Sequence, residues 1–177
     1  MRLSHPMRIL TILIGALVLN MFDASNCRAE ETATEAMLRA ESLGGLRLGL
    51  PEKDVLKLLG PPAKRGELVL QEADGNYVQD WHYPEKGIEL LMSGGEKKSG
   101  VKTIANITAS APCTFATRKG IKIGDTESAA RKAYAEHVDR ETKAEPGILV
   151  VGSVYGGIIF NFTKGKVSRI FFGAAAE

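Results

Sequence analysis

The residues best suited to nucleophilic chemistry are one cysteine and two histidines. Cys113 is the single thiol beyond residue 29, and His82 and His137 are the histidines in the same stretch. A catalytic thiol needs a pKa lowered by a neighbouring histidine or a helix N-terminus. Neither histidine lies at a recognisable spacing from Cys113. We therefore predict no catalytic residue and interpret Cys113 as a packed cysteine, with an intermolecular disulfide and a thiol enzyme as the alternatives.

Metal-binding and phosphate-binding patterns are absent from the sequence. It contains no His-x-x-x-His pair, no Cys-x-x-Cys pair and no aspartate-rich calcium loop. Three glycine-rich stretches, at residues 44–49, 93–95 and 152–157, lack the residue order that binds nucleotide phosphates. The last of them lies between two predicted strands, where glycines serve tight turns. The sequence therefore predicts no cofactor and no metal site.

The densest group of aromatic residues lies in one predicted strand. Trp81 and Tyr83 flank His82, Tyr77 precedes them, and Tyr155 lies at the tip of a later turn. Alternate residues of a strand share a face, so Trp81 and Tyr83 point to one side and His82 to the other. One interpretation buries Trp81 and Tyr83 in the core. The other places them on an open sheet face, where aromatic residues dominate protein interfaces, and makes Tyr77, Trp81, Tyr83 and Tyr155 the hypothetical partner-binding site.

The composition is that of an ordinary globular protein. Of 177 residues, 44% are hydrophobic and 25% charged, so neither disorder nor a fibrous repeat fits the chain. Lys and Arg together number 23, against 21 for Asp and Glu. Because nucleic-acid binding needs a clear basic excess, we expect no nucleic-acid partner.

The first 29 residues have the three parts of a secretory signal peptide. Arg2 and Arg8 form a basic start, and Ile9–Phe22 is an apolar run of 14 residues, short of the ~20 that span a bilayer. A small-residue site ends at Ala29. We therefore predict cleavage after Ala29 and an exported protein, periplasmic or secreted, with an uncleaved membrane anchor as the alternative.

A lipid anchor is a second alternative for the leader. Residues 24–27, Ala-Ser-Asn-Cys, form only a loose lipobox, because Asn26 is a poor fit before a modified Cys27. We expect membrane contact only if the leader stays uncleaved or Cys27 carries a lipid.

The chain beyond the leader contains an internal repeat. Gly45–Gly49 and Gly120–Gly124 both read glycine, apolar, basic, apolar, glycine, and each is predicted to be a short strand. A helix is predicted after each, because apolar residues follow at positions i, i+3 and i+4. Pro51 suits the start of the first helix, and Thr126 or Asp125 can cap the second.

Three strands are predicted after each of these helices, from apolar residues at every second position. In the first half they are residues 78–83, 87–92 and 101–108, and in the second half residues 148–151, 157–162 and 167–172. The sequence thus predicts an α+β fold of two tandem units, each a short helix packed on one face of a small antiparallel β-meander sheet. The predicted boundaries are a helical lead-in at 30–44 with a helix over 34–42, a first unit at 45–108, a linker at 109–118 and a second unit at 119–177.

The openings of the two units resemble a known family. GLRLGLPEKDVLKLLGPP at residues 45–62, followed by WHY at 81–83, resembles the signature of the BamE (SmpA/OmlA) lipoproteins. GIKIGDTESAARKAY at 120–134 keeps the first half of that pattern. Two such units in one exported chain are also similar to the β-lactamase inhibitor protein, whose two units present a concave sheet to an enzyme. The resemblance implies no catalytic residue, because these proteins act by binding other proteins.

Together these observations predict an exported, non-enzymatic protein-binding module that acts through a sheet face and its loops. The expected partner is another exported or envelope protein. The alternatives are a binder of a small molecule or an envelope polymer in the groove between the units, and a thiol enzyme that uses Cys113.

Overall fold

The computed structural model describes residues 36–139 and 146–175, so the predicted signal peptide lies outside the described residues. No helix in the described part is long and apolar enough to cross a membrane. Residues 36–40, inside the predicted lead-in helix, are helical. Two further α-helices follow, α1 (Glu52–Leu59) and α2 (Glu127–Ala133), with short 3₁₀ turns at Pro84–Lys86 and Ala135–His137.

Eight β-strands account for most of the remaining regular structure in residues 36–139 and 146–175. They are β1 (Lys64–Arg65), β2 (Val69–Gln71), β3 (Asn76–Tyr83), β4 (Ile88–Ser93), β5 (Thr103–Ser110), β6 (Ile148–Ser153), β7 (Gly156–Thr163) and β8 (Lys166–Gly173). All eight belong to one antiparallel sheet. Its order is β1-β3-β4-β5-β8-β7-β6, with β2 also pairing with β3.

The predicted fold class of two tandem helix-on-sheet units is wrong, because the strands form a single continuous sheet. The last strands of the two halves, β5 and β8, pair with each other, with Ile107 opposite Phe172 and Ser110 opposite Arg169. Left apart, each of these strands would present a free edge of unpaired backbone N–H and C=O groups. Pairing the two edges satisfies those groups and joins the halves through the sheet.

The two predicted opening strands are also wrong. Residues 45–49 and 120–124 form turns and irregular structure, and the pairing of Leu46 with Leu43 is an isolated bridge. The glycines that end each stretch have positive φ, between 75° and 91° at Gly45, Gly49, Gly120 and Gly124. Extended strands need negative φ, so these glycines break the strand on both sides.

The second helix starts where the sequence predicts, and the first starts one residue later than the prediction that Pro51 is its first helical residue. Pro51 precedes α1 with extended backbone, and the chain leaves that helix at Gly60. Thr126 caps α2, its Oγ1 accepting a hydrogen bond from the backbone N–H of Ala129 at 3.2 Å. Such a cap satisfies one of the N–H groups that a helix start leaves unpaired.

One main core lies on a single face of the sheet. Val55 and Leu59 of α1 and Ala130 of α2 pack there against alternate strand residues. The largest fully buried side chains are Trp81, Tyr134, Phe160, Leu43, Leu46, Ile88, Leu90, Met92, Ile104, Ile107, Leu149 and Ile158. Each buried aliphatic or aromatic side chain contributes roughly 1.5–3 kcal/mol through burial. We call this side of the sheet the helix face.

A buried carboxylate ties the N-terminal segment to the middle of the chain. Glu41 accepts hydrogen bonds from the backbone N–H of Arg118 at 2.6 Å and of Ser42 at 3.0 Å. Its other oxygen accepts from the Tyr134 hydroxyl at 3.0 Å, next to the end of α2. A buried charge is stable only when hydrogen-bonded, and here three donors meet that need.

Candidate functional site

Trp81 and Tyr83 lie in the core of the helix face. Both are buried, and the Trp81 indole N–H donates to Gln79 Oε1 at 3.0 Å. The Tyr83 hydroxyl donates to the carbonyl of Gly60, the residue that ends α1, at 3.1 Å. A partner cannot reach these side chains, so placing them on a binding surface is wrong. The alternative interpretation, core residues under the helix, agrees with the structure.

The other two predicted site residues do not complete a surface. Tyr77 is half-buried in β3, which lies near one edge of the sheet. Tyr155 is 74% exposed in the turn between β6 and β7, at the opposite edge. The four aromatic residues of the hypothesis are therefore not brought together, and the structure directs attention to the other side of the sheet.

We call the sheet side opposite the helix face the open face. On this face, one row of side chains runs across the strands and through both halves of the chain. Each neighbouring pair in this row lies directly opposite in the register. From β3 to β6 the row reads His82, Glu89, Thr108, Phe171, Ile159 and Val150. The row is polar in the first half of the chain and apolar in the second. The change occurs where β5 meets β8.

The apolar half of the open face is a second, smaller core. It consists of Val150, Ile159 and Phe171, all buried, with Ile148 and Val154 packed against them. The Arg169 guanidinium lies 5.4 Å from the centroid of the Phe171 ring. These apolar side chains already have partners within the chain, so this half offers little surface for another molecule.

The polar half of the open face forms a shallow cleft of about 210 Å³. Its lining residues are Asp80, His82, Glu89, Leu90, Leu91, Asn106, Thr108 and Phe171. His82 Nδ1 lies 3.7 Å from Glu89 Oε1, and the Glu89 side chain is two-thirds exposed. This half therefore keeps carboxylate, imidazole, amide and hydroxyl groups accessible along three adjacent strands.

Residues of the second half contact the floor of the cleft. Thr108 Oγ1 accepts a hydrogen bond from Arg169 Nη2 at 3.4 Å, across the junction of β5 and β8. Gly173, with φ of 136°, lies beside Asn106, and a Cβ there would be 2.0 Å from Asn106 Oδ1. Glycine adopts this positive φ without strain and leaves room for the Asn106 side chain. The second half thus shapes one side of the cleft.

Neither the Cys113 thiol nor a cluster of metal ligands forms a site among the described residues. Cys113 is buried, and burial is the main cause that raises the pKa of its thiol, opposed by a hydrogen bond from the backbone of Phe115. A raised pKa disfavours the thiolate that nucleophilic catalysis requires. Among residues 36–139 and 146–175, no three His, Cys, Asp or Glu side chains lie close enough to hold a metal ion. The chemistry available on the open face is hydrogen bonding and ion pairing.

Sequence reasoning did not identify the cleft residues, although part of the signal was present. His82 was predicted to face away from Trp81 and Tyr83, and it does. The polar residues at alternate positions of β4 and β5 follow the same rule. The sequence alone does not show which sheet face the helices cover. The covered face decides which of the two alternating sets of strand residues is accessible.

The comparisons with known proteins gave no match to this chain: no family, no curated protein and no solved structure is significantly similar. The resemblance of residues 45–62 and 81–83 to the BamE family stays a prediction from those residues. The likeness to the β-lactamase inhibitor protein depended on two separate units, and the single continuous sheet contradicts that arrangement.

Proposed function

We propose that this protein is an exported, non-enzymatic binding module, and that the polar half of the open face is where another exported or envelope protein docks. One observation carries the proposal. The helix face and the apolar half of the open face are buried, whereas the polar half keeps a cleft with accessible hydrogen-bonding groups. Antiparallel sheets commonly keep one solvated face, so the support for recognition is the cleft that gathers these polar side chains, not their exposure alone.

The size of the cleft favours a protein over a small-molecule ligand. Sites for drug-sized molecules usually have volumes of about 300–1,000 Å³ and mostly apolar walls. This cleft has about 210 Å³, below that range, and five of its eight lining residues are polar. It suits one protruding side chain of a partner whose main contact spreads over the surrounding strands.

The groups in the cleft define the contacts that a partner would make. The carboxylates of Asp80 and Glu89 accept hydrogen bonds, and the amide of Asn106 both donates and accepts. Leu91, half-buried between them, offers apolar contact. Protein interfaces combine an apolar centre with a polar rim in this way.

The predicted leader and the family resemblance support the same proposal by analogy. A signal peptide at residues 1–29 would deliver the domain to the cell envelope or beyond, where the partner is expected. The BamE family, which residues 45–62 resemble, acts by binding other proteins. Fold analogy alone does not identify a partner, so the proposal depends on the open face itself.

The test is affinity capture from the source's envelope extract and culture supernatant. Thr108→Trp fills the cleft and Glu89→Arg reverses its charge, and both positions lie on the sheet surface. Lys132→Glu changes the charge of an exposed residue on α2, on the helix face, and is the matched control.

We expect one stoichiometric protein to bind the wild type and the control and to be lost from both cleft variants. Each variant is checked for native circular dichroism first. Capture of no specific protein, or equal capture by all four proteins, would contradict the proposal.

A further inference from the structure

The cleft in the polar half of the open face presents negative charge. Asp80 and Glu89 are acidic and exposed, and none of its eight lining residues is lysine or arginine. The third titratable residue, His82, has Nδ1 3.7 Å from Glu89 Oε1, which is too far for a hydrogen bond. A cleft lined by charge of one sign attracts ligands of the opposite sign, so this cleft favours a cation.

The two carboxylates flank a single position between adjacent strands. Asp80 lies opposite Leu91 in the register of β3 and β4, and His82 lies opposite Glu89. Asp80 and Glu89 therefore lie on one diagonal of a four-residue square on the same sheet face. Diagonal neighbours are about 7–8 Å apart, a separation that long side chains bridge. One cationic group placed between the two carboxylates can contact both.

An apolar floor lies beside the carboxylates. The half-buried Leu91 side chain provides it, next to Asn106 on β5. Lysine and arginine pack their apolar stems on such a surface while the charged head stays exposed to polar groups. A volume of about 210 Å³ holds one side chain of this kind. A bare metal ion fits less well, because no three His, Cys, Asp or Glu side chains lie close together among residues 36–139 and 146–175.

Two basic residues of the chain lie next to the cleft without lining it. Arg169 donates a hydrogen bond to Thr108 Oγ1 at 3.4 Å, which holds its guanidinium on the β8 side. Lys64 begins β1, one strand beyond His82, and is exposed at the sheet edge. Neither of them forms an ion pair with the two carboxylates within the described part of the chain. The position between the carboxylates is therefore left for a cation from another molecule.

We infer that the cleft binds a lysine or arginine side chain of the partner protein, with its charged head between Asp80 and Glu89 and its stem on Leu91. The inference rests on the proposed function and adds the chemistry of the partner's central contact. Arginine is the better fit, because its planar guanidinium can donate to two carboxylates at once. The partner surface that meets the open face is therefore basic.

A nuclear magnetic resonance titration with N-acetyl-arginine amide tests this inference on the protein expressed from its full sequence. We expect the backbone amide signals of the cleft residues to shift saturably, with a Kd of about 1 mM. N-acetyl-citrulline amide has nearly the same shape without the charge and is the matched probe, which should cause no saturable shift. Equal shifts from the two probes, or no saturable shift from the arginine probe, would overturn the inference.

Neutral substitutions test the two carboxylates separately. Asp80→Asn and Glu89→Gln keep the size of the side chain and remove its charge. Each should weaken binding of the arginine probe by about two- to fivefold, as expected for an exposed ion pair. Glu136→Gln is the matched control, because Glu136 is an exposed carboxylate that follows α2 on the helix face. Equal affinity in the wild type and all three variants would show that the cleft carboxylates do not bind the cation.

The titration contains no partner protein, so its result is separate from that of affinity capture. Capture of a partner without saturable binding of the arginine probe would overturn this inference and leave the proposed function standing. Binding of the arginine probe without capture of any protein would contradict the proposed function, and with it a protein as the source of the basic group.

Discussion

The two halves of the open face share one sheet and one cross-strand row, yet they differ in every other respect. In the second half, Val150, Ile159 and Phe171 are buried and form a small core. In the first half, Glu89 and Thr108 occupy equivalent places in the row and line a cleft. The difference shows that a sheet face can contribute to stability along half its length and remain accessible along the rest.

The strand sequences explain this difference. Ile158, Ile159 and Phe160 are consecutive apolar residues in β7, as expected for a strand buried on both faces. In β4 the apolar residues Ile88 and Leu90 alternate with more exposed positions, as expected for a strand with one solvated face. Continuous apolar residues along a strand are therefore typical of the apolar half, and alternation of apolar with more exposed residues is typical of the polar half.

The largest expected effect comes from truncating the apolar half. Phe171→Ala should lower the free energy of unfolding by about 3 kcal/mol, through lost burial and the cavity left behind. Leu91→Ala in the polar half, where the side chain is half-buried, should cost roughly 1 kcal/mol or less. Urea denaturation followed by circular dichroism measures both. Similar losses of unfolding free energy in the two variants would contradict the contrast between a buried apolar half and an accessible polar half.

Buried polar groups should also affect stability more than the exposed polar groups of the cleft. Tyr134→Phe removes a hydrogen bond to the buried Glu41 carboxylate and should cost about 1.5–3 kcal/mol. Tyr83→Phe removes a bond to the neutral carbonyl of Gly60 and should cost about 1 kcal/mol. The same denaturation experiment compares the two variants. A larger loss of unfolding free energy in Tyr83→Phe than in Tyr134→Phe would contradict the greater contribution assigned to the hydrogen bond with the Glu41 carboxylate.

The helix face should also determine stability at alkaline pH. Burial is the main cause that raises the pKa of Tyr134 above its ordinary value of 10.0; the hydrogen bond with Thr117 opposes this, and the Glu41 carboxylate adds to it. The folded state therefore retains the phenol proton more strongly than the unfolded state. This stabilisation is complete below about pH 10 and is lost as the pH rises through the folded-state pKa.

The measurement is urea denaturation at several pH values on either side of pH 10. The free energy of unfolding should fall above that pH in the wild type and fall less steeply in Tyr134→Phe. Equal slopes in the two proteins would show that Tyr134 does not control the alkaline transition.

The smallest expected effect on stability comes from the cleft. Glu89→Ala should change the free energy of unfolding by no more than about 0.5 kcal/mol, because its side chain is mostly exposed. The same substitution should weaken capture of the partner. A clear loss of stability would indicate a structural role for Glu89 and would weaken the contrast between the two halves.

The sequence predicted the strands that have a buried face and missed those that do not. Alternating apolar residues placed strands at 87–92 and 157–162, and β4 and β7 occupy nearly the same residues. β1 and β2 were not predicted, because they are largely exposed and carry no periodic apolar signal. The pairing of β5 with β8 was also missed, because periodicity identifies strands but does not say which edges meet.

The site was harder to predict for a related reason. As aromatic residues, Trp81 and Tyr83 are of a type enriched at interfaces. Large aromatic side chains also contribute most to stability when they are buried, as these two are. His82, between them in sequence, was expected on the opposite face and lies in the cleft. Its neighbours Glu89 and Thr108 come from other strands, and only the register of the complete sheet brings them together.

Site-specific photo-crosslinking in the source cells tests the central claim most directly. An apolar photoreactive amino acid replaces Leu91 in the cleft in one variant and Lys132 on α2 in the other. We predict a discrete crosslinked protein from position 91 and none from position 132. A crosslink from position 132 with none from position 91 would contradict the assignment of the polar half of the open face as the binding surface.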